Sequence, residues 1–298
     1  MLLGFIEVTL LLTRRRFTSL AAAAVAGAAV SSKSQAQKGT TRSGLEFGVQ
    51  IFMVRDRLGP KDLVPTLELI HSIGYASIET YPLVYNRPAK DLKTLITNAG
   101  LKAPSGHFDY ATLEEHVDYA AELGLEYMIC PMLDHSLWNS LDGFHQAAQH
   151  LNKAAAKARA AGLKFGYHPH NYEYKPLPGG RGIDVLMREL DPAIRLELDI
   201  YWAIEGGQAP LDLMRKYKDR LELIHIKDRK PVTGVTYAPD EHAAHYTEAG
   251  SGAIDWKANL GLAHQLGVRQ FFVDQDGYDV PVEESLRRNW KYLSQLSL

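Results

Sequence analysis

From residue 45 to the end of the chain, short runs of aliphatic, aromatic and β-branched residues alternate with longer stretches whose apolar positions recur every three or four residues. The short runs predict strands at 46–52, 76–81, 102–108, 126–132, 163–168, 195–199, 221–226 and 270–274. The longer stretches predict helices at 63–73, 91–99, 113–123, 143–161, 183–190, 211–217, 256–266 and 283–296. Glycine stands where several of these helices stop, as at Gly74, Gly100, Gly124 and Gly162. Eight strand–helix units in about 250 residues predict an α/β fold, a single (β/α)8 barrel whose chemistry lies at the C-terminal ends of the strands.

The first residues follow a different pattern. Thr13-Arg14-Arg15-Arg16-Phe17 precedes a small, apolar run from Leu20 to Val30, and Ser34-Gln35-Ala36 follows. A basic start, a short apolar core and small residues at a cleavage point describe an export signal over 1–36, and the arginines before Phe17 resemble a twin-arginine signal. Residues 37–44 read as a polar linker and 45–298 as the barrel. The expected location is the periplasm or beyond, with no lasting membrane contact once the signal is removed.

Composition narrows the partners. The chain has 33 Lys+Arg against 35 Asp+Glu. Removing 1–36 takes away Arg14, Arg15, Arg16, Lys33 and only Glu7, which leaves a mildly acidic domain. Nucleic acid is therefore not an expected partner. A small molecule is, and a homo-oligomer is compatible with the sequence. The single cysteine, Cys130, lies in an apolar run and reads as a core residue.

The predicted strand ends carry the candidate chemistry. Gln50 and Glu79 stand at strands one and two, and His107 and Asp109 at strand three. His168, His170 and Glu173 follow strand five, Asp199 strand six, His225, Lys227 and Asp228 strand seven, and Asp274 and Asp276 strand eight. Imidazoles and carboxylates converging at one barrel end suit divalent-metal binding or proton transfer. The long loop after strand seven carries His242 and His245, which read as surface histidines.

At these residues the chain resembles the xylose isomerase-like barrels, the sugar (phosphate) isomerases and epimerases. The resemblance rests on GVQIFMVRD near Val49, HPHNYE from His168, LELDIYW through Asp199, LIHIKD around His225, EAGSGAIDW from Glu248 and FFVDQD. It implies one divalent metal held by an acid on strand five, an Asp on six, a His on seven and a Glu on eight. Asp199 and His225 match that pattern. Glu173 is the expected strand-five ligand, with His168 as the alternative, and Asp274 replaces the usual Glu on strand eight.

An oxygen-rich set favours Mn²⁺, with Mg²⁺, Co²⁺ and Zn²⁺ as alternatives. Glu173 and Asp274 are the candidate catalytic carboxylates. Glu79, His107, His168, His170, Trp202 and Lys227 are expected to bind substrate, and Trp202 and Phe52 to stack on a sugar face. The implied reaction is isomerisation or epimerisation of a sugar through proton removal beside a carbonyl and a metal-stabilised enediolate. The alternatives are a lyase acting on 3-keto-glycosides and a non-catalytic sugar-binding barrel.

Overall fold

A computed structural model describes residues 41–239 and 245–298. The expected export signal and His242 lie outside the described residues. Eight parallel strands close into a barrel: β1 (Gly48–Gln50), β2 (Ser77–Thr80), β3 (Lys102–His107), β4 (Tyr127–Cys130), β5 (Lys164–Tyr167), β6 (Arg195–Asp199), β7 (Leu221–Ile226) and β8 (Gln270–Val273). Each strand pairs with its sequence neighbours, and β1 closes on β8. The helices are α1 (Leu63–Ile73), α2 (Ala89–Asn98), α3 (Val117–Leu123), α4 (Leu141–Ala160), α5 (Gly182–Glu189), α6 (Ile200–Glu205), α7 (Pro210–Lys216), α8 (Trp256–Gln265) and α9 (Val282–Gln295). The predicted (β/α)8 barrel is the observed fold.

The differences from the pattern have local causes. The first strand stops at Gln50 because its side-chain oxygen accepts the Phe52 N–H at 2.9 Å and starts a 3-10 turn over Ile51–Arg57. Asp199 does the same at β6: its Oδ1 accepts the Trp202 N–H at 2.9 Å and opens α6, a helix that the apolar run Ile200-Tyr201-Trp202 does not announce. The helix expected from 113 is α-helical only from Val117, after a 3-10 stretch kinked at Thr112. Packing begins before the expected linker ends. Thr41 donates its hydroxyl to the Leu45 carbonyl, and the Arg42 N–H reaches the Ser294 carbonyl at 2.9 Å.

Alternation divides the apolar residues into two layers. Most pack between strands and helices. Tyr127, Ile129, Leu223 and Phe272 form a separate buried cluster. Leu223 lies two residues before His225 on the same strand face, so this cluster plugs the barrel interior beneath the polar strand ends.

The loop leaving β7 is fixed by Asp228. Its carboxylate accepts the N–H groups of Arg229 (2.7 Å), Gly250 (2.8 Å), Gly252 (3.2 Å) and Ile254 (3.2 Å), and the Trp256 indole N–H (2.9 Å). That explains the glycines of EAGSGAIDW: a Cβ on Gly252 would lie 2.2 Å from Asp228 Oδ1 and 2.4 Å from the Arg229 carbonyl. Buried Glu205 accepts from Arg229 Nε at 2.7 Å and lies 3.1 Å from His245 Nδ1, tying the same loop to α6. Asp228 thus serves the scaffold.

Candidate active site

The strand registers stack the polar side chains in two tiers. Asp199 pairs with His225 across β6 and β7, and Gln50 with Glu79 across β1 and β2. On β6, Glu197 and Asp199 are two residues apart and face the same way. All five are essentially sealed from solvent.

The lower tier is built from Glu79, Glu197 and three imidazoles. Glu79 Oε2 lies 2.7 Å from His225 Nε2 and 3.0 Å from His107 Nε2. Glu197 Oε2 lies 2.9 Å from His107 Nε2 and 3.0 Å from His168 Nδ1. Gln50 Nε2 donates to Glu79 Oε2 at 3.0 Å, and Ser105 Oγ to Oε1 at 2.5 Å.

Burial alone would raise both carboxyl groups, but the facing histidines more than reverse it. Glu79 is held well below the usual carboxylate range and Glu197 at about 2. Burial would likewise lower His107 and His225; the two glutamates lift His107 to about 9 and His225 well above its ordinary value. His168 stays low because burial dominates there.

The upper tier is acidic. His225 Nδ1 lies 3.3 Å from Asp274 Oδ2 and 4.0 Å from Asp199 Oδ2, and His168 Nε2 lies 4.0 Å from Asp199 Oδ2. The Lys227 ammonium sits among Asp199 (3.4 Å), Asp274 (2.9 Å) and Asp276, with which it makes a short contact. Burial would lower Lys227, but the three carboxylates raise it far above its ordinary value. Burial raises Asp199 to about 6 and also lifts Asp276; Asp274 is held low by Lys227 and His225 despite burial. The rings of Trp202, Tyr246 and Tyr201 surround the ammonium at 5.0, 5.5 and 5.7 Å.

Asp199, His225 and Asp274 bring ligand atoms close enough together to share one ion, and His107, His168, Glu197 and His225 do so one tier below. The upper set has the better reason to hold a divalent cation. Asp199 Oδ2 and Asp274 Oδ1 are buried and accept no hydrogen bond. Three carboxylates also face the Lys227 ammonium and the His225 ring, so negative charge exceeds positive charge in this tier. The donors fit a divalent metal.

Several expected roles change. Glu173 is not brought to the upper tier: its Oε1 accepts the Tyr167 hydroxyl at 2.5 Å and its Oε2 the His170 N–H at 2.9 Å. Tyr167 alternates with the inward-facing positions of β5, so this carboxyl group lies on the helix side of the strand. Burial raises it to about 7. Glu79, expected to touch substrate, is instead saturated beneath the histidines, and His107 is held at the same level. His168 joins the tiers rather than the pocket wall, and Lys227 is engaged by aspartates.

His170 and Trp202 do adjoin one another, 5.2 Å between ring centres. His170 Nδ1 and Trp202 Nε1 are buried without a hydrogen-bond partner, so both can serve a substrate oxygen. Phe52 packs on Tyr81 at 4.9 Å and under Arg55 at 4.4 Å, and Arg55 donates to the Asp276 carbonyl, so the three line the strand-eight side. The sequence reading missed Glu197, hidden between two leucines, although the alternation that exposed Asp199 also puts Glu197 on the inner face. Tyr246 had no such signal; only the folded loop brings it to Lys227.

A closed parallel barrel with a buried cluster of imidazoles and carboxylates at its strand ends is an enzyme scaffold whose donors can hold a metal ion. Residues 67–293 match the family described as Xylose isomerase-like TIM barrel, and the chain belongs to that family. Among curated proteins it is similar to the inosose dehydratase of Geobacillus kaustophilus, 27% identical over 190 residues, 52% of this chain and 58% of that protein. The inosose dehydratase of Lacticaseibacillus casei is 25% identical over 215 residues, 58% of this chain and 68% of that protein. The first of these matches spans less than two thirds of the relative's length.

Two solved structures share the fold. A sugar phosphate isomerase/epimerase from Parabacteroides distasonis superposes with a TM-score of 0.72 at 22% identity, covering 84% of this chain and 97% of that one. The IOLI protein with a binding zinc atom gives 0.64 at 15%, covering 83% and 96%.

Proposed function

We propose that this protein is a lyase that removes water or an alcohol from a keto-polyol, a cyclic inosose or a 3-keto-glycoside, beginning with loss of the proton beside the carbonyl. The observation that carries this reading is the contact between Lys227 and Asp276 at the mouth of the upper tier, which joins an acid and a base. The names of the curated relatives support the same order. This reverses the ranking expected from sequence, where isomerisation came first.

Asp199, His225 and Asp274 would hold a divalent ion, Mn²⁺ first among the candidates, and the ion would supply positive charge to the substrate's carbonyl oxygen. The chain's own groups account for the protons. Asp276, raised by burial and by its neighbour Asp274, takes the proton from the carbon beside the carbonyl. The electron pair of that C–H bond first moves toward the carbonyl oxygen, so that proton loss can reverse, and then forms a C=C bond as the C–O bond to the next carbon breaks. Lys227 delivers a proton to the departing oxygen, which is far more basic than an amine. Asp276 then returns its proton to Lys227 across their contact, and the site is restored with water or alcohol as the second product. His170 Nδ1 and Trp202 Nε1 orient hydroxyl groups, while the aromatic walls exclude water.

The test is incubation with inososes and 3-keto-glycosides in deuterated water with Mn²⁺ added. Loss of water or aglycone, together with deuterium in recovered substrate beside the carbonyl, is expected. Deuterium entry with an isomeric sugar and no leaving group would replace the lyase with an isomerase. No exchange with any substrate, under ion-loaded conditions, would leave a binding barrel.

A further inference from the structure

The lower tier has a function that its burial hides. A carboxylate can only accept hydrogen bonds, so an imidazole nitrogen facing one must carry the proton. Glu197 Oε2 faces His168 Nδ1 at 3.0 Å, and Glu79 Oε2 faces His225 Nε2 at 2.7 Å. The opposite nitrogens, His168 Nε2 and His225 Nδ1, both face the upper tier. There they meet Asp199 Oδ2 at 4.0 Å each, and His225 Nδ1 meets Asp274 Oδ2 at 3.3 Å. His168 Nε2 can present a lone pair, whereas His225 Nδ1 faces the Asp274 carboxylate and presents one only once an ion displaces the proton between them. Asp199 Oδ2 and Asp274 Oδ1 accept no hydrogen bond there, and a cation would satisfy them. Two donor atoms on one ion with bonds of about 2.1 Å lie no more than about 4.2 Å apart. These three separations are within that limit, and His168, which stands outside the close group of Asp199, His225 and Asp274, reaches that group through Asp199.

We propose that Glu197 and Glu79 are positioning residues that set the tautomers of His168 and His225, and that His168 Nε2 completes the ion site with Asp199, His225 and Asp274. The proposal rests on the ion in the function proposed above. Glu79 is itself held rigid. Ser105 Oγ and Gln50 Nε2 donate to it, and Gln50 Oε1 in turn accepts the Phe52 N–H, so the chain of orientation runs from the first strand end to the ligand. The strand-five ligand is then an imidazole where the family pattern has an acid, and Glu173 has no part in it.

The experiment uses the full chain, stripped of metal and titrated with Co²⁺ while visible absorption is followed, alongside NMR of ¹⁵N-histidine protein with and without Zn²⁺. In the ion-free protein His168 should carry its proton on Nδ1. With Zn²⁺ bound, His225 should retain only the Nε2 proton. Glu197→Gln places an amide donor where the carboxylate accepted, and should weaken Co²⁺ binding about 10- to 100-fold with unchanged far-UV circular dichroism. Glu79→Gln provides the same readout should the first variant fold poorly. His168→Gln should also weaken binding, whereas Glu173→Gln should bind within about twofold of the parent.

Wild-type affinity in both glutamate variants overturns the positioning role alone. His168 protonated on Nε2 overturns the tautomer assignment with or without an ion. A parent protein that takes up no Co²⁺ overturns the ligand assignment and the ion of the proposed function together.

Discussion

Replacing Glu173 by glutamine separates a ligand from a buried structural acid. The carboxyl group is wholly enclosed, with the Tyr167 hydroxyl on Oε1 and the His170 N–H on Oε2. Those hydrogen bonds favour the anion, but burial outweighs them and lifts the group from an ordinary value of 4.5 to about 7. That difference corresponds to about 3 kcal/mol. Its sign follows from proton counting. Between pH 4.5 and 7 the folded chain keeps a proton on Glu173 that the unfolded chain has lost, so this residue's contribution to stability falls as pH rises. It is fully present below 4.5 and lost above 7.

Glutamine cannot ionise. Its oxygen accepts the His170 N–H, and its amide donates to the Tyr167 oxygen, whose own proton turns to Tyr172, 3.4 Å away. The stability of the variant relative to the parent should therefore climb by about 3 kcal/mol between pH 4 and pH 8. For a domain of this size that is about 6 °C in thermal midpoint. Paired urea denaturations at intervals of half a pH unit measure it. A difference that stays flat across this range refutes the burial argument, and loss of bound metal in the variant would return Glu173 to the ion.

Asp276→Asn should lower turnover about 100-fold or more with little change in ion affinity, read by kinetics at saturating substrate beside a metal titration. Asp199→Ala or His225→Ala should abolish metal retention with a native far-UV circular dichroism spectrum, and full occupancy in both would remove the upper tier as the ion site. Gly252→Ala should destabilise the fold by about 1–3 kcal/mol, because its Cβ would meet the Asp228 carboxylate and the Arg229 carbonyl, and denaturant unfolding measures it.

The barrel was legible because its evidence is periodic. The strand at Arg195–Asp199 and the strand at Leu221–Ile226 were read with their observed limits, and α1 likewise. Buried strands broken by amphipathic helices admit few other arrangements, and the errors fell where a side chain overrides the pattern. Gln50 and Asp199 both turn a strand end into a helical start by accepting a nearby N–H. A pattern of apolar positions carries no trace of such a cap, since the residues on either side are equally buried.

The site was legible only in part, for a related reason. A strand end shows which residue types arrive at the barrel mouth, and it brought Asp199, His225, Lys227 and Asp274 to attention. It does not show which way the chain turns afterwards. Glu173 lies five residues beyond His168, across a 3-10 turn at Tyr172–Tyr174 that carries it behind the strand to Tyr167. Residues still on the strand obey alternation, so His168 stays inside. Glu197 obeys it too, and its position between leucines is what a carboxylate needs to be dry, low in pKa and able to orient three imidazoles. A charged residue at an inward strand position, flanked by core residues, therefore points below the substrate, where an acid acts through the histidines it holds.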